Sequence, residues 1–256
     1  MKKYFLIIIL IIFGGVVYWS QRLEPEVIKI DLPPEQNYEE FIIEEEQVEE
    51  ITGDNEIINE VVKQPVEKTS INLNIPFTPQ APTANWEQPF QDACEEASIL
   101  MVDYYYQNKN LPNQIEIEEL LLAMVELQEN NWGGHFNLPV ARTAEFVATY
   151  FGYQTEIIEN LDAQKIRVYL DQGLPVIVPA NGKKLANPYF KNGGPDYHML
   201  VIKGYLDDKF ITNDPGTKRG EDFVYTSDNL LYSIADWDPE ASSATGPKVG
   251  LILLKN

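Results

Sequence analysis

The chain has 256 residues, of which 19 are basic and 40 acidic, giving a formal net charge of −21. This length is enough for one or two domains with a hydrophobic core, and the hydrophobic fraction of 44% is that of an ordinary globular protein. The acidic excess argues against nucleic-acid binding, which needs clustered Lys and Arg. One Cys and two His exclude an intrachain disulfide and a Cys- or His-rich metal cluster, so no metal or cofactor is predicted.

The first predicted element is an apolar helix at the N-terminus. Residues 4–19 carry no charge, follow two lysines and end in a Tyr-Trp pair. As a helix they span roughly 24 Å, slightly less than a hydrocarbon layer, and the flanking residues fit the two interfaces. The alternative is a signal peptide that is cleaved before secretion, but the bulky sequence VVYWSQ lacks a small-residue cleavage site. Residues 1–22 are therefore predicted to be a transmembrane signal anchor that leaves the rest of the chain extracytoplasmic.

Residues 23–68 are strongly acidic. They contain fifteen Asp or Glu residues against three Lys, together with four prolines. Like charges repel and extend such a segment, and its apolar residues at 41–43 and 57–58 favour at most a short transient helix. We predict a disordered tether here, and an acidic pro-segment that shields an active site is the rival interpretation.

Residues 69–256 are predicted to form one globular domain, because hydrophobic periodicity becomes regular there. The patterns predict four helices, followed or separated by extended segments, at 92–107, 114–129, 138–151 and 162–172. The extended segments are 71–77, 154–159, 175–180, 198–205, 209–213 and 249–254. Helices come first and most strands later, which favours an α+β fold with the first helix packed on an antiparallel sheet.

Polar residues mark where three of these helices are expected to begin. Asp92, followed three residues later by Glu95, resembles a capping box. Asn113 and Asn137 are the candidate N-caps of the next two helices.

The only Cys, Cys94, falls in the first turn of the first predicted helix. Free backbone amides and the helix dipole favour a thiolate there, and an imidazolium nearby would lower the thiol pKa further. Glu95 and Glu96 oppose this, but they count little if they face solvent. A small buried hydrophobic residue is the alternative role for a lone Cys.

Two further residues could complete a catalytic set with that thiol. His198 opens an apolar strand, and Asp214 closes the next strand before a Pro-Gly turn. A two-residue turn between these strands would put the two side chains on opposite faces, so a catalytic pair requires an odd loop or a bulge. Asn213 is the rival partner for the imidazole if the register slips.

Gln80 precedes the first helix and could donate a hydrogen bond to a developing oxyanion, together with the Cys94 backbone amide. Gln88 and Gln91 lie closer to the Cys in sequence and are alternatives. The other His, His135, lies in a Gly-rich stretch and is interpreted as a surface-loop residue.

The stretch PFTPQ, the Cys, the segment HMLVIKGY and the sequence NDPG together resemble the papain-like, double-glycine, bacteriocin-processing peptidases. They resemble most closely the stand-alone extracytoplasmic peptidase thirty-nine-like domains of bacteria, over nearly all of residues 71–254. The resemblance implies a papain-like α+β fold and a cysteine peptidase or amidase that acts on peptides without a cofactor. It implies Cys94 as nucleophile, His198 as base and acid, Asp214 as the residue that orients the imidazole, and Gln80 as oxyanion donor.

Two other functions stay open at this point. An acyltransferase of transglutaminase type would use the same triad, with an amine in place of water. A degenerate domain would bind peptide or cell-wall polymer without catalysis. The overall acidity mildly favours basic or neutral substrates.

Overall fold

The computed structural model of the protein describes residues 27–42 and 68–255. The helices of residues 68–255 are α1 (Cys94–Tyr106), α2 (Gln114–Trp132), α3 (Val140–Tyr150), α4 (Ala163–Leu170), the single-turn α5 (Gly182–Leu185) and α6 (Ser227–Ser233). The strands are β1 (Ser70–Asn72), β2 (Gln154–Glu159), β3 (Val176–Ala180), β4 (His198–Leu206), β5 (Lys209–Asn213), β6 (Phe223–Thr226), β7 (Trp237–Asp238), β8 (Ser243–Ala244) and β9 (Val249–Leu254). Short 3₁₀ turns cover Phe90–Asp92 and Lys191–Gly193.

The main sheet is antiparallel and runs in the order β2-β9-β3-β4-β5-β6, with β1 pairing to β4 as well. Strands β3 and β4 lie at its centre and are almost entirely buried. Helix α1 packs on β4, and α3 packs on the β2–β9 side. The predicted α+β architecture, with the Cys helix on an antiparallel sheet, is confirmed.

Helix α1 is buried on nearly every side, as its long apolar run predicts. The predicted capping box is wrong, because the helix begins after Ala93 and no side chain caps it. A 3₁₀ turn leads directly into the helix, and Asp92 accepts a hydrogen bond from Gln88 instead. The Glu95 carboxylate turns inward to the backbone N–H of Leu138.

The other two predicted caps have different outcomes. Asn113 caps α2 as expected, since its side chain accepts from the N–H groups of Ile115 and Glu116. Asn137 does not cap α3, because that helix begins two residues later than expected, with Pro139 at its N-cap and no side-chain hydrogen bond there.

The β4–β5 hairpin has a two-residue turn, which alone would put His198 and Asp214 on opposite faces of the sheet. It also has a bulge, which brings the two residues back to the same face. Leu206 pairs with Lys209 across the turn, and the register shifts between Ile202 and Gly204. Beyond the bulge, Val201 pairs with Asn213. Continuing this register puts Asp214 opposite Leu200, which lies two residues from His198 and therefore on the same sheet face.

The extra residue of the bulge is Lys203, and its buried Nζ contacts two carboxylates. It lies 2.7 Å from Asp222 Oδ1 and 2.7 Å from Glu35 Oε1. Glu35 belongs to the acidic segment, so that segment contributes directly to the domain.

Residues 27–42, here called the strap, pack on the domain, and residues 38–42 are helical. Gln36 bridges to Leu73 in parallel, with backbone bonds to Asn72 and Asn74 on either side. Tyr38 packs edge-on against the tyrosines at the end of α1, and Phe41 is 7% exposed. The prediction of a disordered tether is therefore wrong over this part, because aromatic side chains among the acidic ones find a partner surface. The rest of the predicted tether, 23–26 and 43–67, lies outside the described residues.

The predicted anchor, residues 1–22, also lies outside the described residues. Within 27–42 and 68–255, no helix combines the length and apolar character needed to cross a bilayer.

Candidate active site

A cavity of about 710 Å³ opens between the start of α1 and the β4 end of the sheet. Cys94, His198 and Gln80 all contribute to its wall, and so does Gln91. The protein thus brings three of the four predicted site residues to one cavity, from positions more than a hundred residues apart in sequence.

The fourth predicted residue, Asp214, lies behind the imidazole. His198 Nε2 is 2.7 Å from Asp214 Oδ1, and both side chains are almost fully buried. Because Asp214 occupies Nε2, the other ring nitrogen, Nδ1, is the one left for a thiol or a substrate. Among the residues that the structure describes, none is hydrogen-bonded to Nδ1.

The Asp214 carboxylate accepts four hydrogen bonds. Oδ1 accepts from His198 and from the Gly216 backbone, and Oδ2 accepts from Asn187 Nδ2 at 3.0 Å and Tyr225 Oη at 2.7 Å. Burial by itself would raise the pKa of this acid, but the charge of His198 and these donors outweigh burial and lower it. Asp214 is therefore held as an ionised, fully bonded carboxylate that fixes the imidazole ring.

Sequence reasoning missed Asn187 and Tyr225. Asn187 lies in the loop before β4, where nothing in its neighbourhood marks it. Tyr225 lies on β6, a strand without a clear alternating pattern, and its register opposite Phe210 became visible only in the sheet.

His198 is also held by packing. The Phe190 ring meets the imidazole edge-on at 5.3 Å between centroids. A side chain at Gly216 would collide with both rings, since an added Cβ would lie 2.7 Å from Phe190 and 2.9 Å from His198. Glycine at this position therefore lets the loop after Asp214 close over the imidazole.

Cys94 is the first residue of α1, and its Sγ lies between a carboxyl group and the β4 backbone. Sγ is 3.0 Å from Glu95 Oε2, and a backbone hydrogen bond from Met199, the residue after His198, also reaches it. The sulfur is thus adjacent to the His198 segment, although its hydrogen bond in this structure goes to Glu95.

Burial raises the pKa of the Cys94 thiol well above its ordinary value, and the nearby Glu95 and Glu96 raise it further. The expectation that helix position and imidazole lower this pKa is therefore wrong for this arrangement. The physical reason is that both glutamates are buried, at 1% and 0% exposure, and do not face solvent. Cys94 is a neutral thiol in the resting protein.

Glu95 is itself shifted. Its Oε1 accepts from the Leu138 backbone at 2.8 Å, but burial and the neighbouring Glu96 raise the pKa of its carboxyl to about 8. The group next to the thiol is therefore a protonated acid at neutral pH.

Glu96 joins a separate buried cluster with His135 and Gln128. His135 Nε2 is 3.1 Å from Glu96 Oε1, and the Gln128 amide donates to the same oxygen. Burial lowers the pKa of His135, but bonding to Glu96 outweighs it and the net shift is upward. The interpretation of His135 as a surface-loop residue is wrong, since its side chain is 6% exposed.

The predicted oxyanion donor, Gln80, lines the cavity but has its amide already bonded. Nε2 donates to the carbonyl oxygens of Phe90 at 2.9 Å and Gln91 at 2.7 Å, which engages both amide hydrogens. Of the two alternatives, Gln88 donates to Asp92 and is not itself part of the cavity wall, whereas Gln91 is.

The rival partner of the imidazole, Asn213, faces the other side of the sheet. Its side chain donates to the carbonyl oxygen of Ile75 at 2.9 Å and accepts from the Asp222 backbone. It is a structural residue of the hairpin.

Within 27–42 and 68–255, no group of three or more His, Cys, Asp or Glu side chains is placed to hold a metal ion.

A sequence model described as "Peptidase_C39 like family" matches residues 72–239, about two thirds of the chain. The chain belongs to the peptidase C39-like family. It is accordingly a cysteine-type peptidase with the papain-like α+β fold, and the resemblance drawn from its sequence motifs is confirmed. No relative was found among the curated proteins.

Two solved structures are similar to this C39-like chain. A putative C39-like peptidase from Bacillus anthracis is 14% identical, with a TM-score of 0.48, and the match covers 74% of this chain and 99% of that one. The peptidase domain of Streptococcus ComA, a bi-functional ABC transporter involved in a quorum-sensing pathway, is 16% identical with a TM-score of 0.35. That match covers 65% of this chain and 93% of the other.

Proposed function

We propose that this C39-like domain hydrolyses a peptide or amide bond through a thioester acyl-enzyme, with Cys94 as nucleophile, His198 as general base and acid, and Asp214 as the positioning residue. The observation that carries the proposal is the shared cavity, in which the thiol and the imidazole both form part of the wall. The Asp214 contact to Nε2 supports it, because it leaves Nδ1 as the nitrogen available to the sulfur.

The resting thiol is neutral, so deprotonation accompanies attack. His198 Nδ1 accepts the Sγ proton as the sulfur bonds to the carbonyl carbon, and the C=O electron pair moves onto oxygen. The imidazolium then gives its proton to the leaving amine as the C–N bond breaks, which leaves a thioester on Cys94. Water, deprotonated by His198, hydrolyses the thioester and regenerates the thiol.

The oxyanion of this reaction needs two donors. The Cys94 backbone N–H belongs to the first turn of α1, whose amides have no partner within the helix. The second donor is a glutamine amide. Gln80 must release its bond to one of the two carbonyls to serve, whereas Gln91 borders the cavity with an exposed side chain.

The test compares the full-length wild type with Cys94→Ala, Cys94→Ser and His198→Ala on a pooled, internally quenched peptide library. All three variants are expected to lose cleavage while thermal melting still shows a folded domain. Because Cys94 is the only Cys in the chain, iodoacetamide modifies a single site and is expected to abolish cleavage in step with labelling. Equal cleavage by the wild type and Cys94→Ser would overturn the mechanism, and a lack of cleavage by the wild type itself would favour the non-catalytic binding domain.

An acyltransferase shares every step up to the thioester. Product analysis by mass spectrometry, with and without an added primary amine, separates the two activities. Hydrolysis predicts free carboxylate products at all amine concentrations, whereas a transferase predicts that amide products replace them.

We also propose that residues 1–22 anchor the chain in the cell membrane and that the peptidase domain lies outside the cytoplasm. The uncharged apolar stretch at 4–19 and the two lysines before it support this. Membrane fractionation and digestion of intact cells with an external protease test it. Recovery of the full chain in the soluble cytoplasmic fraction would contradict it.

A further inference from the structure

The rim of the active-site cavity has a charge opposite to that of the protein. The whole chain has 40 acidic and 19 basic residues. The cavity wall instead includes Lys191, Lys218 and Arg219, with Asp92 as its one carboxylate among the described residues. The expectation from net charge, that substrates are basic or neutral, therefore does not describe the surface that a substrate meets.

These three cations are available to bind an anion. Each is exposed, and among the residues described by the structure none of the three has a carboxylate within 4.0 Å. By contrast, Lys183 and Lys209, which lie elsewhere on the surface, each contact an aspartate. Even Asp92, the acid in the cavity wall, accepts from Gln88.

Arg219 is held in place at the rim. Its guanidinium lies 4.8 Å from the centre of the Tyr189 ring, and its backbone N–H donates to Thr217 Oγ1. The Tyr189 backbone in turn donates to Asn187, which holds Asp214. The hydrogen bonds that hold Asp214 therefore also fix the Tyr189 ring on which Arg219 stacks, which reduces the entropy lost when Arg219 binds a ligand.

The cations lie on the imidazole side of the cavity. Lys191 follows Phe190, which packs on His198. Lys218 and Arg219 follow Gly216, where an added Cβ would collide with both of these rings. In the proposed reaction His198 gives its proton to the leaving amine, so the part of the substrate after the scissile bond lies on this side.

We propose that the leaving-group side of the cavity binds a carboxylate within the first few residues after the scissile bond. This rests on the proposed function. The carboxylate is either an acidic side chain or the free C-terminus of a short leaving peptide, since both offer the same chemistry to Lys and Arg. At physiological ionic strength, charges more than about 8 Å away are largely screened, so the rim cations outweigh the distant acidic surface.

The experiment uses the full-length protein and internally quenched peptide libraries that differ only after the scissile position. One library has Asp and Glu there and its partner has Asn and Gln, and each is made with a free and with an amidated C-terminus. The acidic library is expected to be cleaved with a kcat/KM about fivefold or more above its amide partner, and the ratio is expected to fall as salt is added. A preference for Asp and Glu in amidated peptides identifies the side chain as the source, and a preference only for the free acid identifies the C-terminus.

Variants test which residues produce the preference. Arg219→Gln, Lys218→Gln and Lys191→Gln are each expected to lower kcat/KM for acidic peptides by about two- to fivefold, as exposed ion pairs do, and to leave neutral peptides unchanged. Lys248→Gln is the matched control, since this exposed lysine lies outside the cavity wall.

Equal cleavage of the acidic and neutral libraries, or faster cleavage of the neutral one, would overturn the inference while leaving the peptidase assignment intact. Cleavage of no library by the wild type, or equal cleavage by Cys94→Ala, would instead overturn the proposed function and the inference with it.

Discussion

Asp214 and Glu95 are both buried carboxylic acids within the catalytic region, yet their surroundings shift their pKa values in opposite directions. Asp214 accepts four hydrogen bonds and contacts an imidazole, and its pKa is lowered. Glu95 accepts from one backbone N–H outside its own helix and from the Cys94 thiol, and burial together with the neighbouring Glu96 raises its pKa to about 8. Burial raises the pKa of both acids, so the number of donors and the sign of the neighbouring charge make the difference between them.

This difference assigns separate roles to the two halves of the site. The sheet side holds a fixed negative charge that orients His198. The helix side keeps both the thiol and its neighbour protonated, so that no thiolate accumulates before substrate arrives.

Removing the fixed charge is expected to have the largest effect. Asp214→Ala leaves His198, Asn187 and Tyr225 without their acceptor, so we expect a loss of at least about 100-fold in kcat and of about 3–5 kcal/mol in unfolding free energy. Asp214→Asn keeps an oxygen acceptor for Nε2–H and is expected to retain partial activity. Steady-state kinetics and urea denaturation measure both effects.

The control for this pair is Asp196→Ala, which removes an exposed aspartate from a surface ion pair with Lys183. It is expected to change stability by less than about 1 kcal/mol. If Asp214→Ala lowered the unfolding free energy no more than this control, the role assigned to the Asp214 carboxylate and its four hydrogen bonds would be wrong.

The Glu95→Gln variant tests the helix side. The amide can still accept from Leu138 but cannot ionise, so above pH 8 it no longer opposes the thiolate. We expect iodoacetamide to label the variant about three- to tenfold faster than the wild type at pH 9, and the two rates to converge near pH 6.

Glu96→Gln is the matched control for labelling. This residue belongs to the His135 cluster and affects the thiol less than Glu95 does. A larger increase in labelling rate for Glu96→Gln than for Glu95→Gln would contradict the assignment.

The two acids also predict opposite pH dependences of stability. The lowered pKa of Asp214 contributes stability that is present above the unfolded value near 4 and is lost as the pH falls through the folded value. The raised pKa of Glu95 makes stability decline as the pH rises from about 4.5 to about 8. The free energy of unfolding is to be measured by denaturation at a series of pH values. In Asp214→Asn it is expected no longer to fall on the acid side, and in Glu95→Gln it is expected no longer to fall between about pH 4.5 and 8. Unchanged slopes in both variants would show that other groups control the profile.

The smallest effect on activity is expected from the strap. Phe41→Ala removes a buried ring that contacts Gly173, far from the thiol, so we expect a loss of about 2–4 kcal/mol in stability with kcat unchanged. The pH dependences of stability that Asp214 and Glu95 cause are expected to remain in this variant. A change in kcat comparable with that of the Asp214 variants would show that the strap reaches the site.

The sequence predicted the parts of the site that local patterns encode. The helix at Cys94, the strands at His198 and before Asp214, and the need for an irregular hairpin all follow from periodicity and pairing geometry. The position of the bulge at Lys203 does not, because it depends on Glu35 and Asp222, which lie far apart in the chain.

The inward orientation of Glu95 also could not be predicted, since a glutamate in a first helical turn is usually solvated. Its partner is the backbone of Leu138, 43 residues away. Polar partners this far apart in the chain set the pKa values of the site, so the local sequence does not determine them.

The location of the strap has a consequence for how the enzyme meets its substrates. Tyr38 lies against Tyr105 and Tyr106, at the last turn of α1, whereas Cys94 is the first residue of that helix. The two ends are about 18 Å apart along the helix axis. The strap therefore contacts the domain at the opposite end of α1 from the thiol, and within 27–42 and 68–255 no strap residue forms part of the cavity wall.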